Sequence, residues 1–331
     1  MNILVCGGAG YIGSHCVNVL GRDGYNPIVY DNLVYGHREA VKEYSFQLGD
    51  LFEKEKLTRI LLEKKIDLVM HYAAYAYVGE SVENPRKYYN NNVSATLSLL
   101  DSMLDAGVNK IIFSSSCSTF GWPMKQEIDE SHPQRPVNPY GMTKFIVEKI
   151  LEDYGKAYGL GYVNIRYFNA AGADPSGAIG EDHNPETHLI PLVLQTALGQ
   201  REHIQVFGTD YDTADGTCVR DYVHICDLAD AHILAMRYLL NGGESTSFNL
   251  GNGNGYSVRD VIEVARKVTG KDIPIIEAPR RPGDPDRLVA SSEKIRKILD
   301  WDPKYPLLED IITTAWNWHS SHPYGYSKIS V

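Results

Sequence analysis

Cysteine is scarce in this 331-residue chain and poorly spaced for chemistry. The five residues, Cys6, Cys16, Cys117, Cys218 and Cys226, include no Cys-x-x-Cys pair. The usual zinc and dithiol signatures are therefore excluded, and reduced, buried thiols are expected. Basic residues are also in deficit: 32 Lys and Arg against 42 Asp and Glu give a formal charge of −10. A field of that sign repels phosphodiester backbones, so no nucleic acid partner is expected. No apolar run approaches the ~18 residues that a spanning helix needs, so no membrane partner is expected. The segment from Met1 to Gly8 lacks a basic leader and reaches glycine after four apolar residues, so no secretory signal is expected and the cytoplasm is the expected location. The eleven histidines include no His-Glu-x-x-His and no tight His/Asp cluster, so no metal is expected. Glycine and proline, 29 and 16 residues, are at ordinary levels and hydrophobic residues make up 43%, which excludes disordered and fibrous classes. At about 150 residues per domain, one large or two medium domains fit the length.

What is present is an alternation of short apolar runs with longer segments of helical period, the pattern of parallel strands joined by crossovers. Strands are predicted at Ile3–Cys6, Pro27–Tyr30, Ser45–Leu48, Asp67–Tyr72, Lys110–Ser114 and Tyr162–Arg166. Helices are predicted near 11–23, 53–64, 86–106 and 139–158. After Asn169 the stretch Ala170–His188 is dense in Gly, Pro, Asp and His, so a domain boundary is expected near residue 170. Further helices are predicted near 190–199, 227–240, 257–269 and 307–319. Ser257-Val-Arg-Asp260 has nearly the form of a capping box. The fold class expected is α/β: a doubly wound parallel sheet of the Rossmann type over residues 1–170, and a smaller, mixed α/β region over 171–331. Segments near 219–250 are free to pack back on the first.

Gly7-Gly8-Ala9-Gly10-Tyr11-Ile12-Gly13 follows the first strand and opens the first helix, the context in which a glycine fingerprint cradles a dinucleotide pyrophosphate. Missing Cβ atoms allow close approach, and the helix N-terminus offers free N–H groups. Asp31, at the end of the second strand, can bind adenosine ribose hydroxyls and repel a 2′-phosphate, which favours NAD over NADP. Asp50 suits an adenine contact, although alone it would more often cap a helix. The later Gly251–Gly255 run has no matching acid downstream and reads as a structural loop.

Tyr140 and Lys144, at i and i+4, share one helix face. A phenol is a weak base at neutral pH, and a nearby ammonium together with an oxidised nicotinamide would stabilise its phenolate. Ser114-Ser115-Ser116 ends a strand at the carboxyl edge, where open parallel sheets bind ligands, so Ser116 can orient a substrate hydroxyl.

These motifs, with Val78-Gly79-Glu80-Ser81, Tyr88–Val93, Arg166-Tyr167-Phe168-Asn169, Val219-Arg220-Asp221-Tyr222 and Ala278-Pro279-Arg280-Arg281, run over nearly the whole chain. Together they resemble the extended short-chain dehydrogenase/reductase family, and within it the sugar-nucleotide 4-epimerases. The resemblance implies NAD contacts from Gly7, Gly10, Tyr11, Ile12, Gly13, Asp31, Asn32, Asp50, Leu51, Ala73, Ala74, Asn91, Tyr140, Lys144 and Phe168. It implies catalysis by Tyr140, Ser116 and Lys144. A UDP-sugar would be held by Ser116, Asn169, His188, Leu189, Gln205, Phe207, Arg220, Arg281, Asp284 and Leu288. The implied reaction oxidises C4 of the UDP-sugar to a 4-ketose with transient NADH, then reduces the opposite face. A homodimer through two helices of the first region is also implied. The stretch Cys117–Gly121 lacks the acid pair of relatives that dehydrate the sugar, so dehydration is disfavoured. Three positions depart from the family pattern. Ala76 stands where a lysine is usual. His188 replaces an asparagine and is expected to act as a neutral donor. Leu288 lies between the tyrosine that restricts the site to plain hexoses and the small residue that admits N-acetylated ones. The competing readings are action on UDP-N-acetylhexosamines or UDP-pentoses and, from another class, a non-catalytic NAD-binding protein.

Overall fold

Seven parallel strands form the centre of the computed structural model, which describes residues 1–281 and 283–326. They are β1 (Asn2–Cys6), β2 (Asn26–Asp31), β3 (Ser45–Leu48), β4 (Leu68–His71), β5 (Lys110–Ser114), β6 (Gly161–Tyr167) and a late strand, Thr246–Leu250. Their spatial order is late strand, β6, β5, β4, β1, β2, β3. The order reverses between β1 and β4, which opens a crevice beyond the carboxyl ends of those two strands.

Both faces of the sheet are covered, so the central strands β1, β2, β4 and β5 are mostly continuous buried apolar runs, whereas β3 at the edge and β6 and the late strand carry polar residues among the apolar ones. Along β1, Ile3 and Val5 face one core while Leu4 and Cys6 face the other. The first core is closed by helix Tyr11–Arg22 (Cys16, Val17, Leu20) and helix Ile225–Leu240 (Leu228, Ala231, Ala235). The second is closed by Leu57 and Leu61 of helix Lys54–Glu63, Leu99 and Met103 of helix Ala95–Ala106, and Val147 and Leu151 of helix Pro139–Tyr158.

A third core lies outside this sheet. Helices Leu189–Ala197, Val258–Thr269 and Leu308–Ser321 pack Ile190, Leu194, Val261, Ile262, Ile311 and Ile312 together. Three small sheets, parallel or mixed, accompany it. Asp260 and Ser257 complete the capping box, each side chain accepting the other's backbone N–H. The Gly251–Gly255 loop rests on the buried Asp221 carboxylate, which accepts the N–H groups of Asn252, Gly253 and Ala290. Among the described residues no helix is long and apolar enough to cross a membrane.

The clearest departure from the sequence pattern lies between residues 86 and 106. The stretch predicted as one helix over 86–106 is a short turn at Pro85–Tyr88, a π-helical turn over Tyr89–Ser94 and then helix Ala95–Ala106. Asn92 accounts for the interruption: its buried side chain bonds both backbone groups of Tyr75 and the Thr143 hydroxyl. A side chain so committed to neighbouring elements favours the wider turn there. The chain also returns to the first sheet, as allowed for segments near 219–250, through a strand that the sequence pattern did not show. After residue 170 it comes back to lay Thr246–Leu250 against β6, and Ile295, Leu299 and Trp301 join the first core.

Four buried histidines make the fold acid-sensitive. Burial lowers His15 and His232 to about 4, and His71 and His224 to about 3. Nε2 of His15, Nδ1 of His71 and Nε2 of His232 have no protein partner, and Nδ1 of His224 already accepts the Cys226 N–H, so added protons would find no acceptor. Unfolded, each titrates near 6.5 and binds more protons than the native chain between that value and its folded one. Stability should therefore fall as pH drops from about 6.5 towards 4, each histidine adding at most about 1.4 kcal/mol per unit. Urea unfolding at pH 7 and pH 5 reads this directly. A midpoint that does not fall over that interval contradicts neutral burial.

Candidate active site

The glycine loop lies at the mouth of the crevice, and its glycines divide by purpose. A Cβ on Gly7, whose φ is +75°, would meet the Ala73 nitrogen at 2.5 Å, and one on Gly13 would meet the Gly7 carbonyl oxygen at 2.2 Å. Gly7 lets the loop close on the segment that follows β4, and Gly13 lets the helix close on the loop itself. Gly10 differs: its backbone is extended, and a Cβ would meet only the Gly7 oxygen, at an ordinary 3.4 Å. Protein packing does not demand glycine there, whereas close approach of a ligand does. Helix Tyr11–Arg22 begins with no side-chain cap and no acid in its first turn, so its leading N–H groups are free for an anion. This arrangement fits a dinucleotide pyrophosphate.

From the loop the groove runs in two directions. On one side lie Asp31, Asn32, Asp50, Leu51, Ala73 and Asn91. Asp31 ends β2 with its carboxylate accepting from the N–H groups of Ala9 and Leu33. Burial raises its pKa, and those backbone bonds oppose the rise. Asn32 donates to Asp50 at 2.9 Å, joining two polar residues of this end.

On the other side, a cavity of about 320 Å³ is lined by Gly10, Tyr11, Ile12, Gly13, Ala74, Ala76, Ser116, Tyr140, Lys144 and Phe168. Asn138 caps helix Pro139–Tyr158 and Pro139 occupies its first turn, which fixes Tyr140 and Lys144 on the buried face. Lys144 Nζ donates to the Ser114 carbonyl at 2.7 Å and lies 6.0 Å from the centre of the Tyr140 ring. Burial pulls Lys144 down to about 7, with Glu148 opposing. Burial holds Tyr140 well above its ordinary value, and the nearby Ser116 hydroxyl lowers it only in part. The lysine is itself desolvated, which weakens the cationic charge that the chain brings to the phenol.

A second cavity, of about 330 Å³, opens beyond Asn169. It is lined by His188, Leu189, Gln205, Phe207, Arg220, Arg281 and Asp284, together with Arg201, which the sequence reading missed. Arg281 stacks on the Phe207 ring with its guanidinium carbon 4.0 Å from the centre. Arg220, largely buried, pairs with Asp284 and donates to the Val219 carbonyl. Such guanidinium groups suit a diphosphate. Asn169, Ala170, Glu181 and His188 line both cavities, so the two communicate. Leu288 lines neither: it packs on the small core of Phe120, Ile128, Phe168 and Ala290.

The wall between the cavities holds a group that sequence reading missed. Glu181, His183, Glu186 and His188 bring one ligating atom each within 4.8 Å of all the others. The sequence contains neither His-Glu-x-x-His nor a tight His/Asp cluster, but its Glu-x-His-x-x-Glu-x-His stretch folds into a tight cluster of histidines with glutamates. His188 also departs from the expected neutral donor. Burial alone would lower it, but the Glu181 and Glu186 carboxylates raise it to about 10, and they raise His183 to about 9. Glu181 is the sole carboxylate lining the first cavity among the described residues, and it is committed to these histidines.

A profile of the NAD dependent epimerase/dehydratase family matches residues 3–251. The chain is 56% identical to the UDP-glucose 4-epimerase of Halalkalibacterium halodurans, over 99% of this chain and 98% of that protein. A crystal structure of a UDP-glucose 4-epimerase matches with a TM-score of 0.97 and 52% identity, covering 99% of this chain and all of the other. The Bifidobacterium longum UDP-glucose 4-epimerase, in complex with NAD+ and UDP, matches with a TM-score of 0.94 and 38% identity over 98% of this chain and all of that one.

The division among the glycines predicts that Gly10→Ala keeps the fold but loses the cofactor. With NAD stripped from both proteins its melting temperature should equal that of wild type, while the NAD that the untreated variant retains, measured after denaturation, falls at least tenfold. Gly13→Ala should instead lower the melting temperature, because its methyl meets backbone. Retention of NAD by Gly10→Ala would contradict a cradle at that residue.

Proposed function

The chain belongs to the NAD dependent epimerase/dehydratase family, and from that premise we propose that it interconverts UDP-glucose and UDP-galactose by reversible oxidation at C4 of the hexose. The observation that carries this reading is the junction of the two cavities. Ser116, Tyr140 and Lys144 stand on the dinucleotide side and the arginines on the other, with Asn169 common to both. A nucleotide-linked sugar held by its diphosphate beside Arg220 and Arg281 would present its ring to Tyr140.

Each residue then has a task. The glycine loop and Asp31, Asn32, Asp50, Leu51, Ala73, Ala74 and Asn91 hold the dinucleotide. Lys144, pinned by the Ser114 carbonyl, holds the nicotinamide ribose hydroxyls. Tyr140 takes the proton from the sugar 4-hydroxyl and returns it at the end of the cycle, and Ser116 orients that hydroxyl. NAD, when bound, supplies the positive charge that lowers the phenol's pKa and accepts, then returns, the hydrogen on C4 with its electron pair. Asn169, Leu189, Gln205, Phe207 and Asp284 line the space in which the sugar must turn over while its diphosphate stays anchored. No pair of free carboxylates faces that space among the described residues, which disfavours dehydration. We assign residues 1–170, with the returning segments, to cofactor binding and the third core to the UDP-sugar. A homodimer located in the cytoplasm completes the proposal.

Tyr140→Phe tests the reading. Conversion of UDP-galactose to UDP-glucose without added reductant should drop about 10²–10⁴-fold, while bound NAD stays at the wild-type level. An inert wild type, or a variant within threefold of it, overturns the proposal.

A further inference from the structure

Glu181, His183, Glu186 and His188 lie within eight consecutive positions of the loop that leads into helix Leu189–Ala197. Both carboxylates are almost completely buried, with side-chain exposures of 4% and 5%. Among the described residues neither is paired with a lysine or arginine. The cations beside them are the two imidazoles, each of which turns Nδ1 towards both acids. His183 Nδ1 is 3.1 Å from Glu181 and 3.6 Å from Glu186; His188 Nδ1 is 2.8 Å and 3.1 Å from the same groups.

Those separations are informative. Zinc bonds nitrogen and carboxylate oxygen at about 2.0–2.2 Å, so a tetrahedral site has ligand atoms about 3.3–3.5 Å apart. The four imidazole–carboxylate separations, 2.8–3.6 Å, bracket that value, although they reach Glu186 through its two different oxygens; one ligating atom of each residue lies within 4.8 Å of all the others, so small side-chain shifts would complete the polyhedron, and one divalent ion neutralises two carboxylates. The Glu186 carboxylate is oriented by the backbone N–H groups of Thr187 and His188, at 2.7 and 2.8 Å, the outer support that metal ligands need. His183 is flanked edge-on by the rings of Tyr11 and Tyr77.

We propose that Glu181, His183, Glu186 and His188 form a structural site for a divalent transition metal, zinc above all. Four protein ligands close the coordination sphere, so the ion acts as a pin and not as a Lewis acid. It would fasten the loop at residues 181–188 to the start of helix Leu189–Ala197 and so fix the wall that the two cavities share.

The test is metal content of the full chain with its NAD, incubated with zinc chloride and then desalted. About one zinc per chain is expected, with a rise in melting temperature that EDTA reverses. Cobalt(II) loaded in its place should give the visible bands of tetrahedral coordination. Glu186→Gln retains an acceptor for the Thr187 and His188 N–H groups and should fold, yet hold at least fivefold less zinc; His183→Ala should lose it as well. A wild type with less than about 0.2 zinc per chain and no thermal shift, or uptake unchanged in both variants, overturns the proposal. Wild-type stoichiometry and the cobalt spectrum decide even if a variant fails to fold, and neither reading depends on turnover.

Discussion

One buried carboxylate ties the helix that carries Tyr140 and Lys144 to the sheet. Glu148, on helix Pro139–Tyr158, accepts from Ser115 at 2.5 Å, from Gln134 at 2.8 Å, and from the Nε and Nη2 atoms of Arg166 at 2.9 and 2.7 Å. Removing two charges from water is costly and is recovered only when geometry and hydrogen bonds are complete, as they are here. The result is registration. Ser115 belongs to the hydroxyl run that ends β5, and Arg166 belongs to β6, so one helix is locked to two adjacent strand ends. Lys144, one turn before Glu148, adds its bond to the Ser114 carbonyl. Tyr140 thus faces Ser116 because of a network in which neither takes part.

The electrostatics of the site follow from that burial. A dry helix face holds geometry well but disfavours charge, so Tyr140 is pushed up and Lys144 down. Sequence reading assigns the lysine to the phenol as its cation, and a spacing of four residues does place them on one face. It does not reveal that the lysine is itself desolvated. The second cavity obeys the opposite rule. Arg220 is largely buried and pairs with Asp284, while the exposed Arg281 stacks on Phe207, which gives a negatively charged protein a local welcome for an anion.

Much of the sheet was legible because parallel strands covered on both faces are short, apolar and bounded by glycine or acid. β3 and β5 and helix Pro139–Tyr158 agree with the sequence pattern at both ends. The glycine cradle, Asp31, Ser116, Tyr140 and Lys144 were legible because each has a fixed relation to a strand end or helix turn. What escaped depends on distant partners. The π turn at Tyr89–Ser94 reflects what Asn92 meets at Tyr75 and Thr143. The seventh strand has no signal beyond five residues, Thr-Ser-Phe-Asn-Leu, that need β6 beside them. The Glu181–His188 cluster has a local spacing that could have been found, but its convergence depends on a loop with no period.

The late strand also governs how the molecule can be made. The carboxyl-side edge of β6 has no partner until residue 250 has left the ribosome, so the first 170 residues alone would expose an unprotected edge. Dividing the polypeptide at the apparent boundary would therefore not release two autonomous halves. A graft that exchanged everything after the loop would also remove a stave of the nucleotide-binding sheet, so altered specificity has to be sought within the second lobe without severing its thread through the first.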